Sequence, residues 1–188
     1  MEELKEKLFS SKKVGWENLE DSKKAEIFAF CNGYMDYLNH AKTEREFIKE
    51  ARRVANEHGF RDLIEFNELH PGDKVYFVNR DKSMYLAIIG QESIENGLHI
   101  IGSHVDSPRL DLKPNPLYED SGFAYLKTHY YGGIKKYQWT AIPLSIHGVI
   151  VKPSGEKIEV DVGENDSDPI FTITDLLPHL AQEQMEKK

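Results

Sequence analysis

The chain has 188 residues, of which 39% are hydrophobic and 11% aromatic, with 24 basic against 32 acidic side chains and a single cysteine. This length suits one large domain or two small ones, the composition lies far from that of disordered chains, and no apolar run approaches the ~18 residues of a membrane span. The net charge of −8 argues against a phosphate backbone as partner, so neither nucleic acid nor membrane is expected. One cysteine forms no internal disulfide and the N-terminal MEELKEKLFSSKK lacks a secretory apolar core, which predicts a cytoplasmic setting.

In chain order, the first third reads as helical. Ile27, Cys31, Tyr34, Met35 and Leu38 recur at spacings of three and four, predicting a helix over 22–39 with Cys31 as a small buried hydrophobe on its apolar face. Thr43 followed by Glu46 forms a capping box, and Gly59 sits at a C-terminal position, so a second helix is expected at 44–58. The period then changes. Residues 74–79 and 84–90 read as strands joined by a polar hairpin turn, and the continuous apolar run over 98–103 predicts a central strand buried on both faces. Helices followed by strands predict an α/β fold with a mixed sheet.

Lys113, Pro114, Asn115 and Pro116 predict a break in regular structure, because proline lacks an amide donor and restricts the residue before it. A boundary there divides the chain into 1–112 and 113–188. Beyond it, 123–130, 142–151, 157–162 and 171–174 read as short strands, and 175–182 as the start of a helix.

The segment with most chemical promise runs from Ile101 to Arg109, at the end of the expected central strand. Central strand ends open into ligand crevices in α/β sheets, and a histidine there has a ring nitrogen free for a metal. Asp106, two residues after His104, would share its face on extended backbone and could fix the imidazole. Spacing alone does not identify a site, since about 0.5 His-x-Asp pairs are expected by chance in such a composition. A metal role and a hydrogen-bonded structural role for His104 both stand at this point. His40, His58, His70 and His99 have no partner at ligand spacing and read as structural or solvated, while His129, His147 and His179 fall in the β-rich part.

The ordered blocks GSHVDSPRL (102–110), THYYGG (128–133), LSIHGVIV (144–151) and FTITDLLPHLA (171–181) resemble the dinuclear zinc aminopeptidases, the family that includes aspartyl aminopeptidase and vacuolar aminopeptidase I. The resemblance extends over roughly residues 20–185. It implies the N-terminal helices and mixed sheet of a zinc-peptidase catalytic domain, followed from about residue 113 by the start of a mainly β inserted dimerisation domain. It also implies His104 as a zinc ligand, Asp106 as the catalytic carboxylate supporting it, and His179 as a substrate-binding residue reaching a neighbouring subunit. Peptide substrates, a homo-oligomer and two zinc ions follow from the same resemblance, with cobalt or manganese also suited to such ligands.

Two departures stand out. Ile134 occupies the place of a third glycine, and residues 138–144 (QWTAIPL) replace a Trp-x-Asp-Arg-x-Leu run, which suggests a divergent branch and leaves the N-terminal residue preference open. Family members are also more than twice as long, with the remaining ligands and general base beyond the matched part. The expectation is therefore the N-terminal portion of a metal-dependent aminopeptidase, inactive by itself and without a complete dinuclear centre. A non-catalytic assembly or peptide-binding module and another dinuclear zinc hydrolase, such as a deacylase, are the alternatives.

Overall fold

The computed structural model describes residues 14–183 together with Leu4, Leu8 and Phe9. Two helices, α1 (Asp21–Asn39) and α2 (Glu44–Glu57), precede the strands β1 (Arg61–Asp62), β2 (Lys74–Asn79) and β3 (Ser83–Ile88). A long ribbon comes next, β4 (Arg109–Asp120) with β5 (Phe123–Tyr131), and then a hairpin of β6 (Ile146–Val151) and β7 (Lys157–Val162). The strands form three small sheets among the described residues: β1-β2-β3, with β1 parallel to β2, and the antiparallel pairs β4-β5 and β6-β7. The fold is α/β with mixed strand directions, as the sequence pattern requires.

Helix α2 matches its sequence signals closely. Thr43 Oγ1 accepts the Glu46 amide at 3.3 Å, while Glu46 Oε2 accepts the amides of Thr43 at 2.9 Å and Lys42 at 3.1 Å. At the other end, Gly59 has φ +82°, its amide donates to Asn56 O at 3.0 Å, and the Phe60 amide donates to Ala55 O at 2.9 Å. This pair of bonds satisfies carbonyls that the helix end would otherwise orphan, and it needs a residue tolerant of left-handed backbone. Ile48 and Ala55 of α2 are buried, as are Val75 and Tyr76 of β2, and these four make up the buried apolar set among the described residues.

Several expectations are corrected. Residues 98–103 form no strand, and Ile101 is 99% exposed. An apolar run becomes a central strand only between two others; β3 pairs with β2 and β4 with β5, which leaves this segment extended and without a ladder among the described residues. The segment around Pro114 and Pro116 is not a break but the middle of β4, whose register slips between Leu112 and Leu117. Asn115, at φ +53°, bulges there, so neither proline has to donate a ladder bond. Residues 175–182 hold only the 3-10 turn Pro178–Leu180. Cys31 is exposed, because no described element covers that face of α1. The accessible surface of 16556 Å² exceeds the roughly 9,200 Å² expected of a compact monomer of this mass, so much apolar surface lies uncovered.

Polar contacts tie α2 to all three sheets. Arg45 Nη1 lies 3.5 Å from Asp81 Oδ2 in the β2-β3 turn, Glu44 meets Arg109 of β4 at 2.9 Å, and Lys49 meets Glu159 of β7 at 2.8 Å. Exposed pairs of this kind are each worth little. His147 of β6 is different, since its side chain is only 10% exposed. Its Nδ1 donates to Glu46 Oε1 at 2.7 Å, and its Nε2 donates to Glu164 Oε1 at 2.9 Å and Ser145 Oγ at 3.0 Å. Asp161 Oδ1 lies 3.8 Å from Nε2, and Lys42 neutralises Glu164 at 2.6 Å.

Burial opposes charge on His147, but the bonds to Glu164 and Glu46 and the fields of Glu46 and Asp161 outweigh it, so its pKa is raised above the ordinary 6.5. Glu164 is held down to about 2 by the bonds from Lys42, Ser145 and His147. A histidine with a raised folded pKa stabilises fully below its ordinary value, and that contribution is lost as pH rises through the folded value. Replacement His147→Gln is expected to cost about 1–3 kcal/mol at about pH 6. Thermal melts of the two proteins should then converge as pH rises through the raised folded pKa of His147; a gap independent of pH would show that the imidazole is not charged.

Candidate functional site

The β4-β5 ribbon brings together two blocks that lie about 25 residues apart. Its tip is a two-residue turn at Ser121 and Gly122, both with positive φ, between the paired Asp120 and Phe123. Such a turn matches the right-handed twist of the strands and fixes their register. Past the register shift between Leu112 and Leu117, Arg109 faces Tyr131 and Leu110 faces Tyr130. Gly132 then turns away at φ +74°, where a Cβ would lie 3.5 Å from Pro108. The His104–Arg109 segment is thereby held beside the Tyr-Gly-Gly turn.

His104 and Asp106 meet as their spacing predicts. His104 Nδ1 lies 2.9 Å from the carbonyl oxygen of Asp106 and 3.0 Å from its Oδ1. Both neighbours are acceptors, so Nδ1 carries the proton and Nε2 presents its lone pair. The His104 side chain is 82% exposed, which leaves Nε2 accessible. Asp106 Oδ2 accepts a bond from the Tyr131 hydroxyl at 2.7 Å. That bond, the Asp106 amide and His104 together hold the Asp106 carboxyl below the usual carboxylate range. The same bond raises the Tyr131 phenol. Over the Tyr131 ring sits the Arg109 guanidinium, 4.2 Å from the centroid, itself bonded to Asp111 at 2.7 Å and Glu44 at 2.9 Å.

The donor chemistry fits a zinc ligand at His104: a neutral imidazole with a free Nε2, its other nitrogen bound to a carboxylate. A zinc site needs at least three protein ligands. Among the described residues no group of three or more His, Cys, Asp or Glu is arranged to hold an ion, so His104 fits as one ligand of a set. His179 lies in the exposed turn Pro178–Leu180, and among the described residues no hydrogen bond or ion pair joins it to His104 or Asp106. The sequence pattern did not single out Tyr131 and Arg109 as site residues, although both lie in the family-like blocks. Only the strand register, which sequence periodicity leaves open, brings them to Asp106.

Nor did it single out His147, whose surroundings resemble a nucleophile triad in outline. Ser145, His147 and Glu46 form a continuous hydrogen-bonded series at the edge of a cleft of about 860 Å³ between α2 and the β6-β7 hairpin. The Ser145 hydroxyl, however, donates to Glu164 at 2.7 Å, and His147 bonds carboxylates through both nitrogens. With its proton directed to Glu164 rather than to His147, the Ser145 hydroxyl is not aligned as an activated nucleophile.

Comparison with known proteins agrees with the geometry. The chain is 48% identical over 96% of its length to the probable M18 family aminopeptidase 1 of Clostridium acetobutylicum, and spans 40% of that protein. It is 50% identical over 86% of its length to the corresponding protein of Thermotoga maritima, spanning 36% of it. The crystal structure of aminopeptidase I from Borrelia burgdorferi superposes with a TM-score of 0.82 at 44% identity, covering 88% of this chain and 41% of that one. The S. cerevisiae mApe1 dodecamer shares the fold at 23% identity, with a TM-score of 0.64, covering 82% of this chain and 36% of that one. The chain thus spans about 40% of the length of these curated relatives. The family model for aminopeptidase I zinc metalloproteases matches residues 37–188, and the chain belongs to that family, M18.

Proposed function

We propose that this chain forms part of a metal-dependent aminopeptidase that removes N-terminal residues from peptides, and that His104 binds zinc through Nε2. The observation that carries this reading is the pairing of His104 with Asp106: both acceptors near Nδ1 place a proton there, so the neutral ring carries its lone pair outward on Nε2. Zinc, when bound, supplies Lewis acidity toward a carbonyl and toward water, and two ions with an intervening carboxylate suit peptide hydrolysis. The chain's own part is to hold His104 in one tautomer and direction, with Asp106 supporting the ring. His179 is assigned to substrate, contributed across an interface between copies. A homo-oligomer fits the large uncovered apolar surface, and a dodecamer is known for the related yeast protein. A cytoplasmic location fits the single, unpaired cysteine.

One ligand does not make a catalytic centre, so the chain alone is expected to be inactive. Coexpression with the part of the Clostridium acetobutylicum relative that it does not span should restore release of N-terminal residues in the presence of zinc or cobalt. His104→Ala should lower kcat/KM of that assembly by at least about 100-fold, and His179→Ala should act mainly on KM. Release by the 188-residue chain alone that survives His104→Ala would overturn the proposal.

A further inference from the structure

We propose that Tyr131 is a positioning residue for His104, acting through Asp106, and that Arg109 and Glu44 in turn hold Tyr131. This inference rests on the reading of His104 as a zinc ligand. Asp106 is more than one-third exposed, and an exposed carboxylate that meets a histidine on one side only is free to rotate into water. The second oxygen of Asp106 is taken by the Tyr131 hydroxyl, so rotation of the carboxylate breaks two bonds rather than one. Tyr131 is fixed in its turn. Its backbone is in the β4-β5 ladder opposite Arg109, and its ring lies under the guanidinium of the same residue. Arg109 is bonded to Asp111 and to Glu44 in the first turn of α2, so its own position is set from two directions.

The effect at His104 is chemical as well as geometric. The Asp106 carbonyl oxygen and Oδ1 both favour the Nδ1–H tautomer, the one whose Nε2 can ligate a metal, and the share of Oδ1 is present only while that oxygen faces the ring. A residue that holds Asp106 therefore sets the fraction of His104 that is ready to bind. Among the described residues the phenol hydroxyl has no other hydrogen-bond partner, which makes its removal specific: Tyr131→Phe keeps the ring beneath Arg109 and deletes only the bond to Asp106.

The test uses the 188-residue chain without metal, observing the imidazole nitrogens by long-range proton–nitrogen NMR. His104 is expected mainly as the Nδ1–H tautomer, and Tyr131→Phe should raise the ratio of Nε2–H to Nδ1–H by about two- to fivefold. Asp106→Ala should change the ratio further, and adding Tyr131→Phe to Asp106→Ala should change nothing more, since the path runs through the Asp106 carboxylate. The β4-β5 amide signals in the same spectra report whether the ribbon is intact. An unchanged ratio in Tyr131→Phe, or additive changes in the double variant, would overturn the proposal. Because no metal is present, this result is independent of whether His104 ligates zinc, which the activity of the His104→Ala assembly decides separately.

Discussion

The carboxylate of Glu46 is the point on which the arrangement turns. One of its oxygens closes the N-terminus of α2 by accepting the amides of Thr43 and Lys42, and the other accepts the His147 Nδ1 proton. A single side chain thus fixes where the helix begins and where the β6-β7 hairpin lies against it. The apolar contribution is modest, four buried side chains among the described residues, so directional polar contacts set how the three sheets are placed around α2. Glu44, two residues before Glu46, extends the same logic to β4 through Arg109.

That placement is what builds the site. His104 has no regular secondary structure of its own; it lies on an extended segment and is held by residues of the β4-β5 ribbon, later in the chain. The turn at Ser121 and Gly122 sets the register at the tip, the shift between Leu112 and Leu117 sets it at the base, where Tyr131 lies opposite Arg109, and Tyr131 then reaches Asp106. A one-residue change in that shift would put Tyr130 or Gly132 in that place and leave Asp106 with a single partner.

Local signals were readable wherever the chain itself satisfies them. The Thr43–Glu46 box, the Gly59 end and the β2-β3 hairpin all complete their hydrogen bonds within a few residues, and all occur as the sequence predicts. His104 and Asp106 belong to the same class, because two positions on extended backbone face the same way. Readings that depend on distant neighbours fared otherwise. The apolar run at 98–103 and the apolar face carrying Cys31 describe surfaces that want a partner, and periodicity does not say where that partner is. Pro114 and Pro116 misled for a different reason: proline excludes a ladder bond but not a bulge inside a strand. The family resemblance supplied a candidate role for His104, yet the contacts of Tyr131 and His147 depend on register and docking, which no single block contains.

The bulge in β4 divides the ribbon into two parts. The base pairs Arg109 to Leu112 with residues 128–131, and the tip pairs Leu117 to Asp120 with residues 123–126, where Tyr118 stacks on Tyr125 at 5.2 Å. Between them, residues 113–116 contribute no paired register. The tip and the base are therefore separate ladders, and the pairing that places Tyr131 opposite Arg109 is set on the His104 side of this joint.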